Sequence, residues 1–206
     1  MTDIKSAEEN LAFVRTILEE REQGLKNGGA IYAAAGILYG LQCLIAWLDL
    51  SSLLPLPEAV LSWNSILPTI FFLLFLGWAL WRDRENMQQH GVASRAVTAA
   101  FASAGFANIA LVIVFAFYAY QQDDFSIWLF YPVMVCALQG AVWYVMAMVQ
   151  KRWWMGGIAA GWLLTTLATG LLIPSPAHYL LALCIGLFAF MALPGMILVR
   201  IGRKGS

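Results

Sequence analysis

RAVTAAFASAGFANIALVIVFAFYAYQQ, residues Arg95–Gln122, decides the fold. No charged side chain follows Arg95 until Asp123. Small residues recur at Ala96, Ala100 and Ala104, and one amide, Asn108, stands near the middle. A helix rising 1.5 Å per residue needs about 20 apolar residues to cross the ~30 Å hydrocarbon layer of a bilayer. A helix lying on a soluble core would carry a charged face, and this stretch has none. It reads as a lipid-spanning helix with a small face for its neighbours and one polar group at mid-depth.

The rest of the chain repeats that design. Of its 206 residues, 61% are hydrophobic and 12% charged, against about a quarter charged in soluble domains. Six charge-poor segments, at about 29–50, 61–81, 96–120, 126–149, 154–173 and 178–199, each approach the length of a span. The expected fold is all-α: a polytopic membrane protein of six transmembrane helices. It divides into a cytoplasmic amphipathic helix (1–28), a six-span domain (29–201) and a cytoplasmic tail (202–206).

Direction follows from the basic residues. Lys5, Arg15, Arg21 and Lys26 precede the first span, and Arg82, Arg84 and Arg95 bracket the second connection. Lys151 and Arg152 form the fourth connection, and Arg200, Arg203 and Lys204 end the chain. The connections 51–60, 121–125 and 174–177 hold no Lys or Arg. The positive-inside rule therefore puts both termini in the cytoplasm of an inner (plasma) membrane protein. Trp47, Trp63, Trp128, Tyr118, Tyr120 and Tyr179 near the outer ends, with Trp78, Trp81, Trp153 and Trp154 near the inner ends, read as aromatic belts.

The first two dozen residues are polar and do not resemble a secretory signal. Ser6 and Glu9 fit a capping box. Ala7, Leu11, Val14, Leu18 and Leu25 then form one apolar stripe, interrupted by Arg21. The opposite face is acidic (Glu8, Glu9, Glu19, Glu20, Glu22), unlike the basic face of helices that lie on anionic lipid. Docking on protein is expected, on the chain's own spans, a partner or a second copy, with Gly28-Gly29 ending the helix.

Within the spans, small faces recur in the odd-numbered helices. Gly29, Ala33, Gly36 and Gly40 line the first, and Gly157, Gly161, Thr165 and Ala168 the fifth. Both contain GxxxG, which lets helix backbones approach closely in lipid. Gly36, Gly40, Gly157 and Gly161 are the expected packing residues. Each even span is bulkier and carries one proline (Pro68, Pro132, Pro194), which is tolerated where neighbours satisfy the freed carbonyl. Three helical hairpins with central odd spans fit this pattern, although Pro194 lies nearer the inner end than its counterparts. An inverted three-plus-three repeat fits the same count.

Five polar residues gather near mid-depth: Gln42, Asn108, Gln139, Thr165 and Thr166. They are the candidate site, as the lining of a cavity or as hydrogen-bonding contacts between helices. No Asp, Glu, Lys, Arg or His shares that depth, which disfavours proton-coupled pumps and voltage sensors. Asp49 reads as the solvated end of the first span, with an entry-gate carboxylate as the alternative. His90 and His178 fall in connections. Cys43, Cys136 and Cys184 form no CxxC and read as buried small hydrophobes. Met146 and Met148, two apart, face nearly opposite ways. The intramembrane serines lack a base at their depth.

No catalytic residue, cofactor, metal or nucleic-acid partner is expected. The formal net charge of zero suggests no polyanionic ligand. Beyond the bilayer, the expected partner is a protein or another copy, reached through the N-terminal helix. The chain reads as an accessory, regulatory or sensing subunit. The alternative is a channel or facilitator for a small uncharged or apolar solute, lined by the polar belt.

Overall fold

The computed structural model describes residues 2–82 and 92–204, with the side chains of 26–82 and 99–203. It is helical throughout its elements: α1 (Thr2–Leu50), α2 (Glu58–Arg82), α3 (Val92–Gln122), α4 (Ser126–Gln150), α5 (Trp153–Leu172), α6 (Pro176–Leu187) and α7 (Leu193–Lys204). One π turn, Phe188–Ala192, joins α6 to α7. Six helices are long and apolar enough to cross a membrane: Lys26–Leu50, Glu58–Arg82, Ala99–Gln122, Ser126–Gln150, Trp153–Leu172 and Pro176–Arg203. This is a multi-pass, six-helix membrane protein. With an even number of spans, the two ends of the helical domain share one face.

The helix does not stop at Gly28-Gly29 as expected. It runs unbroken from Thr2 to Leu50, and no described glycine has positive φ. A glycine in a helix interior costs about 1 kcal/mol relative to alanine, and tertiary packing offsets that at Gly29. A Cβ there would stand 2.7 Å from Leu198 Cβ and 2.9 Å from the Gly195 carbonyl oxygen. Gly29 therefore serves close approach to α7, not termination.

The same seam continues up α1. A Cβ on Gly36 would stand 2.8 Å from Ala192 Cα, and one on Gly40 2.9 Å from the Phe188 ring. From the other side, a Cβ on Gly195 would stand 2.7 Å from Ala33 Cα. Absent side chains on both helices let two backbones touch, maximising dispersion contacts where no water drives association.

That seam overturns the arrangement of central odd and peripheral even spans. The core is Tyr32 of α1, Cys136, Trp143 and Met146 of α4, Met155 and Trp162 of α5, and their neighbours on α6 and α7. No residue of α2 is buried. It packs on α1 alone among its principal contacts, and α3 flanks α4 in the same way. The sixth span is central because its own small residues, Ala192 and Gly195, complement those of α1. Bulk on α2 (Phe71, Leu73 and Leu74, all exposed) keeps that helix at the margin.

The connections are short and locally tied. Asp49 Oδ1 accepts the Leu56 N–H at 2.9 Å across the 51–57 loop, so this carboxylate pins a turn instead of ending free in solvent. Asp124 Oδ1 accepts the Ser126 N–H at 2.9 Å, capping α4. Hydrogen bonds from the Ser126 side chain and backbone hold the Asp124 carboxyl below its ordinary range. Ser52, Asp123 and Lys151 adopt left-handed φ values of 56°, 49° and 53° where α1, α3 and α4 end.

Candidate functional site

The five mid-depth polar residues are distributed among separate contacts. Gln42 lies between α1 and α2, its Nε2 donating to the Ser65 carbonyl at 3.4 Å. Its backbone carbonyl accepts Asn64 Nδ2 at 3.0 Å. Asn108 joins α3 to α4, where Oδ1 accepts the Tyr131 hydroxyl at 2.9 Å. Gln139 of α4 accepts from Tyr32 of α1 at 3.2 Å. Thr165 and Thr166 donate within α5 to the carbonyls of Gly161 and Trp162, each at 2.9 Å. Thr165 also packs tightly on α6, since a Cβ at Gly186 would stand 2.5 Å from Thr165 Cγ2.

The strongest polar centre lies elsewhere, at Tyr32. Its hydroxyl accepts the Trp143 indole N–H at 2.6 Å and the Trp162 indole N–H at 2.9 Å, and donates to Gln139 Oε1. A phenol has one proton and two lone pairs, and all three are engaged. The rings close around it: Trp143 lies 5.3 Å and Phe101 6.1 Å from Tyr32 by centroid. Trp143 and Trp162 are essentially inaccessible. Three helices, α1, α4 and α5, are thus tied at one oxygen in a buried interior, where an unmade bond is costly.

Sequence reasoning passed over this hub. Aromatic residues in apolar spans look like packing, and 111 and 130 positions separate Tyr32 from Trp143 and Trp162. One signal was present: a buried indole or phenol needs a polar partner.

The proline expectation has a specific answer. Pro194 lacks the N–H that would bond Phe190, and the Phe190 carbonyl accepts Trp162 Nε1 at 3.1 Å instead. Beside Pro132, the Leu129 carbonyl accepts the Tyr179 hydroxyl at 2.8 Å. Beside Pro68, the Ser65 carbonyl receives Gln42. At Pro194 the carbonyl that the missing N–H frees, four residues back, is supplied from another helix; at Pro132 and Pro68 the carbonyl that receives a side chain lies three residues back and is not the freed one.

Tyr179 belongs to the core, not the aromatic belt, being 1% exposed. Trp154 packs against that core, whereas Trp63, Trp78, Trp81, Trp153 and Tyr120 are exposed. Gly161 is a packing residue, since a Cβ there would stand 2.5 Å from Phe190 Cζ. Gly157 is not, as a Cβ there would meet nothing within 4 Å. Met146 is buried and Met148 exposed, as their spacing requires. His178 is exposed, and His90 lies outside the described residues.

The three cysteines, remote in sequence, come from α1, α4 and the sixth span. Cys136 and Cys184 are buried and Cys43 is half-buried, and the Cys184 thiol stands 3.6 Å from the Gly40 carbonyl oxygen. All three are free thiols. Among the described residues, no group of three His, Cys, Asp or Glu side chains is arranged to hold a metal ion.

Chemically, this interior binds helices to each other. Its hydroxyls donate to backbone or side-chain amide carbonyls, and Asp49, at the end of the first span, accepts a backbone amide. No protein-family model, curated protein or solved structure matches the chain.

Proposed function

We propose that the chain is an accessory, regulatory or sensing subunit of an inner-membrane assembly, acting through helix–helix and lipid contacts without a catalytic site. The observation that carries this reading is the polar interior. Gln42, Asn108, Gln139, Thr165 and Thr166 each direct hydrogen bonds to other helices or to their own backbone. A solute passage needs polar groups that exchange partners with the solute.

The N-terminal arm supplies the contact surface. Its apolar stripe and acidic face suit a protein partner or a second copy of the chain. Because α1 is continuous with the first span, force on the arm reaches the bundle without a flexible joint. On the positive-inside rule, the arm and the C-terminus lie in the cytoplasm.

Native mass measured from mild detergent, for the full chain and for a chain lacking residues 1–26, tests this reading. The expected result is loss of a co-purifying protein or of a second copy upon deletion. Identical complexes from both chains would refute it.

A further inference from the structure

One face of α5 is exposed along its whole length. Trp153, Gly157, Ala160, Leu164, Leu167 and Leu171 follow one another at steps of four and three residues, and all of them are exposed. The opposite face, with Met155, Trp162 and Thr169, is buried in the core. The exposed face is uneven. Trp153 is 92% exposed and Leu164 66%, so both stand proud of the helix. Between them, a Cβ on Gly156 or Gly157 would meet nothing within 4 Å, and Ala160 adds only a methyl group. The floor of this trough begins about 6 Å along the axis from Trp153, at 1.5 Å per residue. α5 is long and apolar enough to span a membrane, so its exposed face lies against lipid. A void there forfeits dispersion contacts, and a flexible acyl chain fills it.

Charge at the head of the trough selects among lipids. Lys151 and Arg152 make the turn between α4 and α5, directly before Trp153. Lys151 is exposed and closes α4 with a left-handed φ of 53°. None of the 12 acidic residues of the chain lies beyond Asp124. From α4 onward the only charged residues are therefore basic: Lys151, Arg152, Arg200, Arg203 and Lys204. Arginine presents a fork that takes a phosphate in two parallel hydrogen bonds, and lysine a mobile point charge. The Trp153 indole, next in sequence, suits headgroup depth, where its N–H donates to phosphate or ester oxygens.

We propose that the Lys151–Arg152 turn and the Gly156–Ala160 trough hold one anionic phospholipid, its phosphate on the two cations and an acyl chain over the glycines. Cations and trough are consecutive in sequence, so one turn and the start of one helix read both ends of the lipid. The site also gives Gly157 a use, since a side chain there would touch none of the described residues. It deepens the lipid contact in the role proposed above. It does not involve the arm, so this assay and the deletion of residues 1–26 fail independently.

Native mass spectrometry from mild detergent tests the site, with phosphatidylglycerol and phosphatidylcholine of identical acyl chains added in equal amounts. The parent chain is expected to retain one phosphatidylglycerol in preference to phosphatidylcholine. Lys151→Asn combined with Arg152→Gln removes both cations and leaves a residue that tolerates left-handed φ. Its retention of phosphatidylglycerol should fall about tenfold, to the level of phosphatidylcholine. Arg200→Gln removes an exposed cation at the same end of the bundle and should leave retention unchanged. Gly157→Leu has room for its side chain and, by filling the trough, should lower retention of both lipids. Equal retention of the two lipids by the parent overturns the proposal. So does a loss on Arg200→Gln equal to that of the double variant, or unchanged retention in Gly157→Leu. A change in the number of protein chains on Gly157→Leu would give the face to a helix and overturn it as well. If the double variant does not fold, Gly157→Leu decides.

Discussion

Gly36 and Gly157 each begin a GxxxG pair in an odd-numbered span, and their surroundings are opposite. Gly36 meets the backbone of Ala192, so a side chain there would collide with atoms that cannot rotate aside. Gly157 is exposed, with open space where a Cβ would be. The motif permits close approach, and a complementary small surface on the neighbour decides whether approach occurs. The sixth span offers that surface to α1 with Ala192 of the π turn and Gly195 of α7. Along the exposed side of α5, none of the described residues lies within 4 Å of a Cβ at Gly157.

The largest expected effect lies at the first of these glycines. Gly36→Leu must separate α1 from the sixth span, and overpacking of this kind costs about 3 kcal/mol or more. Thermal unfolding in detergent should show a large loss or no folded protein. Gly157→Leu should leave unfolding unchanged, within about 0.5 kcal/mol. Equal damage at both sites would erase the contrast between them.

Next in size is Tyr32→Phe. It removes the acceptor of a buried indole, stranding the Trp143 N–H at a cost of about 1–3 kcal/mol, while Trp162 retains the Phe190 carbonyl. Denaturant titration of the purified protein would read that loss. It sharpens the comparison by separating hydrogen-bonded from glycine-mediated locking of α1.

Asn108→Leu breaks the Tyr131 contact at the margin between α3 and α4. Interhelical bonds in membranes average about 0.6 kcal/mol, so a small shift is expected. A double-mutant cycle with Tyr131→Phe isolates the pair.

The smallest effect belongs to Asp124, on an exposed connection. Its carboxyl is held below the ordinary range, so its stabilising cap is present above the unfolded-state value and disappears as pH falls through the lower folded-state value. The stability difference between the parent and Asp124→Ala should vanish in acid. A difference persisting there would assign the cap to something other than the ionised carboxylate.

Much of this architecture was legible in the residues. The spans follow from charge-free stretches of the right length. The need for a donor at the Phe190 carbonyl follows from the missing N–H of Pro194. Which helix meets which was not legible, because several small faces could pair and only shape complementarity selects. Gly29 looked like a helix stop because its neighbour across the seam, Leu198, is remote in sequence. The hub at Tyr32 was hidden for a related reason: its three partners come from α4 and α5, and a tyrosine among alanines resembles filling. The polar belt was visible as five residues at one depth. Their division among separate contacts depends on side-chain direction, which spacing alone does not supply.

On the proposed reading these polar groups are occupied by helix–helix contacts or by their own helix and do not line a path for solute. Stopped-flow light scattering of proteoliposomes challenged with glycerol or urea tests it most directly. The account predicts uptake equal to that of protein-free liposomes, unaltered by Asn108→Leu or Gln139→Leu. Solute-specific uptake that either substitution abolishes would contradict it.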